Sequence, residues 1–107
     1  MIKIDLKPLS VNEAWKGKRF RTDKYRKFQT DLSYLLPKIE ITNPPFCLKL
    51  VFGFSNKLSD IDNPVKLVQD ILVKKYGFDD RDIYRLEVDK TIVKKGSEFI
   101  RFEILPI

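Results

Sequence analysis

The sequence predicts an α+β fold: one two-layer domain, β-α-β-α-β-β, with two helices on one face of a mixed or mostly antiparallel sheet. Three observations predict it. Phe46–Phe54 and Ile83–Val93 alternate with the period of a strand. Apolar residues recur at spacings of three and four through Tyr25, Phe28, Leu32 and Leu35 or Leu36, and again through Val65, Val68, Ile71, Leu72 and Tyr76. Finally, 107 residues are enough for one domain and too few for two, so residues 1–107 are read as one unit.

Ile2 to Leu6 alternates as a first strand, with Ile2, Ile4 and Leu6 on one face, and Pro8 ends it. Ser10 to Arg21 has no clear period and contains Gly17, which predicts a loop. Thr22 or Asp23 caps a helix that runs to about Leu36, and Pro37 stops it. Asn43-Pro44-Pro45 turns the chain into the second strand, Phe46–Phe54, where Gly53 marks a bulge or a close approach. Asn56 to Ser59 is a loop. Asn63 suits a helix N-cap, Pro64 the first helical position, and Gly77 the residue just past the end near Tyr76. Phe78 to Asp82 is an acidic loop. Ile83–Val93 and Glu98–Leu105, joined by Lys95-Gly96-Ser97, are expected to form a hairpin.

Composition narrows the chemistry. A formal net charge of +6 favours a polyanionic partner. The sequence contains no histidine, which removes Ser-His-Asp and Cys-His catalysis and His-based zinc sites. Cys47 is the single cysteine, so no internal disulfide or cysteine cluster forms. Apolar runs are short, and Met1 to Asp5 already alternates as a strand. No membrane span and a soluble, cytoplasmic protein are therefore expected.

Seven basic residues stand between positions 16 and 27: Lys16, Lys18, Arg19, Arg21, Lys24, Arg26 and Lys27, with Trp15 and Phe20 among them and Asp23 as the only acid. Cations in the first turn of a helix oppose its dipole, and a bound phosphate would offset that. A solvated basic face is the plainer reading of such a run. The aromatics and the overall charge favour phosphate contact.

The most specific stretch is Asp60-Ile61-Asp62-Asn63-Pro64-Val65-Lys66. In an extended segment Asp60 and Asp62 project the same way and can converge on one point. Asp79 or Asp80, returning after the helix, can add a further oxygen. Hard cations such as Mg²⁺ take oxygen ligands and need only one or two protein carboxylates beside phosphate and water. Lys66 lies one turn into the helix, within reach of the same mouth, and Asp70 one turn deeper can hold it. The plain readings are a capped helix start, a polar turn, and a Lys66–Asp70 surface pair worth a few tenths of a kcal/mol. An EF-hand does not fit, because the loop lacks the central Gly and closing Glu. A PD-(D/E)xK nuclease does not fit either. Asp5-Leu6-Lys7 is the sole acid-x-Lys triplet and has no acidic partner before it.

At these residues the chain resembles the RusA-like Holliday-junction resolvases, endodeoxyribonucleases often carried by phages and prophages. The family pattern is Asp-x-Asp-Asn, a lysine three residues on, an aspartate four further, then an Asp-Asp pair. Asp60, Asp62, Asn63, Lys66, Asp70 and Asp79-Asp80 match it in type and order. Ser10-Val11-Asn12, the basic Gly17-to-Arg21 loop and Lys90 look like further family positions. The resemblance implies a homodimer that resolves four-way DNA junctions by paired nicks, in recombination and repair, with Mg²⁺ or Mn²⁺. It implies that Asp60, Asp62 and Asp80 are metal-binding catalytic carboxylates, that Lys66 is the essential lysine, and that Asp70, Asp79 and Asn63 support them. It extends the expected DNA contacts, Lys16, Lys18, Arg19, Arg21, Lys24 and Lys27, to Lys90. The sequence departs from the pattern at Ser59, where the family can carry a basic residue before the first aspartate. Two rival readings keep the same residues: a non-catalytic binder of branched DNA, and a basic interaction protein with an acidic protein partner.

Overall fold

The computed structural model of the chain describes residues 1–17 and 20–107. Along the chain, β1 (Ile2–Ile4) leads to a short helix α1 (Val11–Ala14) and to a small ribbon, β2 (Trp15–Lys16) paired with β3 (Phe20–Arg21). Helix α2 (Asp23–Leu35), strand β4 (Phe46–Phe54) and helix α3 (Val65–Tyr76) follow. A 3-10 turn (Asp80–Asp82), β5 (Ile83–Ile92) and β6 (Phe99–Pro106) complete the chain. The main sheet is mixed, in the order β1-β6-β4-β5. As the periodicities predict, one layer is sheet and one is helix.

Strand β4 is the axis of the domain. Phe46, Leu48, Leu50, Phe52 and Phe54 on one face, and Cys47 on the other, are all buried. An apolar strand of that kind is satisfied only with a neighbour on each edge. Antiparallel β6 lies on one side, with Leu50 opposite Phe102, and parallel β5 on the other, with Leu50 opposite Val88. Parallel pairing requires a crossover, and α3 supplies it. The helices close the core on the Leu48–Phe54 face through Tyr25, Phe28, Leu32 and Leu36 of the α2 segment and Leu67, Val68, Ile71 and Leu72 of α3.

The helical stripes hold: of the two alternatives Leu36 turns inward and Leu35 is exposed, while in α3 Leu67 joins the stripe and Val65 and Tyr76 are half-buried. Tyr76 instead donates its hydroxyl to the Pro37 carbonyl at 2.6 Å, tying the ends of the two helices together.

The expected hairpin does not form: β6 sits on the far side of β4 from β5. Strand β5 is mostly exposed, whereas Phe99, Ile100 and Phe102 are buried, so β6 needs the more covered position. The connection crosses the end of β4 and is pinned there. Val93 N–H donates to the Phe54 carbonyl at 2.8 Å, Ser55 Oγ to Glu98 Oε2 at 2.8 Å, and Gly96 N–H to Glu98 Oε1 at 2.7 Å.

Gly53 marks a close approach. A Cβ there would stand 2.4 Å from the Phe99 ring, which lies across it on the open face of the sheet beneath Lys3 and Arg101.

Residues 10–21 are not a featureless loop. Ser10 accepts from Asn12 N–H at 3.2 Å, and the Glu13 carboxylate accepts from Ser10 N–H at 3.3 Å, a capping box that starts α1. The Ser10-x-x-Glu13 signature is visible in the sequence, but with one helical turn behind it no period announces it.

Candidate functional site

The acidic segment enters α3 through consecutive turns rather than an extended run. Asn63 N–H donates to the Asp60 carbonyl at 3.3 Å and Val65 N–H to the Asp62 carbonyl at 3.1 Å. The alternation argument for Asp60 and Asp62 therefore does not apply, because a turn rotates successive side chains rather than reversing them. Asn63 is not the cap either. Pro64 occupies that position with near-helical φ and ψ, and no side-chain hydrogen bond caps α3. Asn63 contributes its carbonyl, which accepts from Val11 N–H at 3.2 Å and ties α1 to the acidic turns.

Asp60 and Asp62 are exposed, and neither carboxylate makes a hydrogen bond or ion pair with a described residue. Asp60 borders a cavity of about 270 Å³ shared with Lys7, Glu13 and Glu98. The loop before it is held from the sheet: Lys90 Nζ donates to the Ser59 carbonyl at 2.9 Å. That contact ties Lys90 of β5 to the loop that leads into Asp60.

Lys66 is where the separate pieces meet. Its ammonium lies 2.8 Å from Asp70 Oδ1 within α3 and 3.4 Å from Asp80 Oδ2 across the chain reversal. The hydrogen bond to Asp70 is the main reason its pKa lies above the ordinary lysine range, with Asp80 adding to it and partial desolvation opposing it. Lys66 is thus a fixed cation at neutral pH, not a base.

The Asp pair divides its work. Asp79 caps the 3-10 turn, accepting from Arg81 N–H at 3.0 Å and facing Arg81 Nε at 3.3 Å. The backbone N–H, more than the guanidinium, holds its carboxyl below the usual range. Asp80 is left to face Lys66. Asp79 is engaged within its own turn.

The donor set is all oxygen, and two of its carboxylates are exposed and unpartnered. That chemistry fits a hard divalent cation, which needs few protein ligands. Among the described residues no three side chains of Asp, Glu or Cys already stand together as a ligand group. The structure brings Lys66, Asp70 and Asp80 into one cluster and leaves Asp60 and Asp62 on the neighbouring turns.

The basic residues fall into two groups. Lys24 faces Glu13 at 3.7 Å and Lys27 is paired with Asp31 at 2.7 Å, so internal carboxylates partly answer both. Lys16 is exposed on β2, and Arg21 stands 5.6 Å over the Tyr25 ring. Lys18 and Arg19 lie outside the described residues. Arg26, Lys74 and Lys75 lie outside the DNA contacts expected from the sequence. Together with Arg21 these residues line a groove of about 860 Å³ between α2 and α3. The spacing of Asp70 and Lys74 on one helix face is the signal that points there.

No family model matches the chain, and no curated protein matches it significantly. No described helix is long and apolar enough to cross a membrane.

Proposed function

We propose that the protein is a Mg²⁺-dependent structure-specific endodeoxyribonuclease that resolves four-way DNA junctions by paired nicks. The observation that carries the reading is Lys66, 2.8 Å from Asp70 and 3.4 Å from Asp80. Lys66 and Asp80 stand 14 residues apart in the sequence, and their meeting beside Asp70 supports a common task. The net charge of +6 and the resemblance to RusA-like resolvases support DNA as the substrate.

In this reading the reaction is hydrolysis of a phosphodiester. Water adds to phosphorus, the bond from phosphorus to the 3′ oxygen breaks, and a 5′ phosphate remains. A divalent cation, Mg²⁺ or Mn²⁺, held by Asp60, Asp62 and Asp80 would supply charge neutralisation and water activation. Lys66, kept protonated by Asp70, offers a positive charge to the phosphate oxygens as negative charge develops there. Asp79 fixes the turn that aims Asp80, and Lys90 fixes the loop ahead of Asp60.

A homodimer would place two such sites on opposed strands of a two-fold junction. The exposed edge of β5 supports that state. Its unpaired backbone runs ten residues, with Leu86 and Ile92 exposed. An antiparallel two-fold centred on Leu86 sets Arg85 of each copy against Glu87 of the other. A centre on Arg85 or Val88 opposes like charges, and a centre on Glu87 sets that residue against itself beside two Arg85–Asp89 pairs.

A non-catalytic junction binder is the second reading, favoured by the absence of a ready-made three-ligand cluster among the described residues. Asp62→Asn distinguishes the two. For the nuclease, nicking should fall at least a hundredfold while junction affinity stays within a few fold. Wild-type protein that binds junctions under Mg²⁺ and Mn²⁺ without nicking them leaves the binder.

A further inference from the structure

Besides the carboxylate site, the described residues form a large groove whose walls share a sign of charge. It runs between α2 and α3, about 860 Å³ in volume, with Arg21 and Arg26 on one side and Lys74 and Lys75 on the other. All four are exposed. The helix dipole favours Lys74 and Lys75, which stand in the last turn of α3, but it opposes Arg26 in the first turn of α2. Asp23 answers Arg26 at 2.9 Å, whereas Lys74 and Lys75 have no ion-pair partner among the described residues. Asp70 is the one acid in the lining, and it is engaged with Lys66 at 2.8 Å.

Trp15 also lines the groove. It is 37% exposed and held edge-on to Tyr25, with ring centroids 5.4 Å apart. A partly exposed aromatic face beside a row of cations is the arrangement that holds single-stranded nucleic acid: cations track the phosphates and the ring stacks on a base. Asp70 in the groove's lining is the residue that pairs with Lys66 of the candidate site.

We infer that the α2–α3 groove binds an unpaired stretch of nucleic acid, with its phosphodiester backbone on Arg21, Arg26, Lys74 and Lys75 and a base stacked on Trp15. The inference rests on the nuclease reading only in taking DNA as the ligand. The binding surface thereby shifts from the ion-paired Lys24–Lys27 side of α2 to its Arg26 side, toward α3.

Trp15 is the sole tryptophan, so tryptophan emission reports on the surface around this one residue, and the groove variants tie the signal to the groove. The experiment titrates full-length protein with a short oligothymidylate in EDTA, reading Trp15 emission and the anisotropy of a labelled oligonucleotide at several salt concentrations. Saturation should quench Trp15. Lys74→Ala/Lys75→Ala should reduce the salt slope by about 1.4, at about 0.7 per single-strand phosphate contact, and weaken binding roughly 25-fold at 0.1 M salt. Lys3→Ala/Lys49→Ala, which removes the same charge from the open sheet face, should weaken it by under about threefold. Unchanged Trp15 emission at saturation overturns the inference, as does equal weakening by the two double variants. If wild type nicks junctions yet the groove variant binds normally, the groove assignment alone fails. Absence of any DNA binding by wild type removes both this inference and the nuclease reading.

Discussion

Replacing Lys66 by Met separates a chemical role from a structural one. Met keeps the length of the chain and its helix propensity but removes the ammonium. The Lys66, Asp70 and Asp80 side chains are 62%, 42% and 47% exposed, so both ion pairs are screened by solvent. Exposed pairs of this kind are worth about 0.3–0.5 kcal/mol each, which sets the stability loss on the order of 0.5–1 kcal/mol. For a domain of this size that is a fall in Tm of about 2–6 °C. A preorganised positive group facing developing charge is worth far more, about 10²–10³ in rate. Circular-dichroism melting and single-turnover nicking of a junction under Mg²⁺ measure the two effects separately. Nicking within threefold of wild type, or a Tm loss beyond about 10 °C, would refute this division of roles. The second outcome would make the cluster a structural brace.

Three further outcomes follow from the fold. Gly53→Ala should destabilise the sheet by about 1–3 kcal/mol, because the new Cβ would meet the Phe99 ring at 2.4 Å. Chemical denaturation checks this, and Phe99→Leu in the same chain should recover part of the loss. Glu98 is held below the ordinary glutamate range first by its own backbone N–H and then by the Ser55 hydroxyl. Its depressed pKa therefore adds stability above the unfolded value of about 4.3, and that contribution is lost as pH falls through the folded value. Melting temperatures followed from pH 6 down to pH 3 should drop more in wild type than in Glu98→Gln. For the β5 edge, Arg85→Glu and Glu87→Arg should each lower the dimer population in sedimentation, and the double exchange should restore it. Wild type that remains monomeric at high concentration excludes that interface.

How much was legible in the sequence depended on how local the signal was. The two long helices and the central strand rest on residues close in sequence, and their periodicity gave type, position and buried face. Gly77, the last residue needed to end α3, adopts the left-handed conformation its position called for. The hairpin expectation went wrong because strand pairing is non-local. Lys95-Gly96-Ser97 has turn chemistry, but the burial of Ile100 and Phe102 decides which edge of β4 the last strand takes.

The site divides the same way. Lys66 and Asp70, four apart on a helix, could be placed from spacing alone. Asp79 and Asp80 could not be told apart until the 3-10 turn showed which carboxylate caps it. Treating Asp60 and Asp62 as extended failed because the Asn63 and Val65 N–H groups close turns onto the Asp60 and Asp62 carbonyls. The α2–α3 groove was the least legible feature, since its two basic walls lie about fifty residues apart in the sequence and only packing joins them.

The most direct measurement is cleavage of an end-labelled synthetic four-way junction by the wild-type protein in Mg²⁺, beside linear duplex and an EDTA control. Paired nicks at symmetric positions of the junction, absent from the duplex and abolished by EDTA, are the expected result. An intact junction in both Mg²⁺ and Mn²⁺, at protein concentrations that saturate binding, would contradict the nuclease assignment.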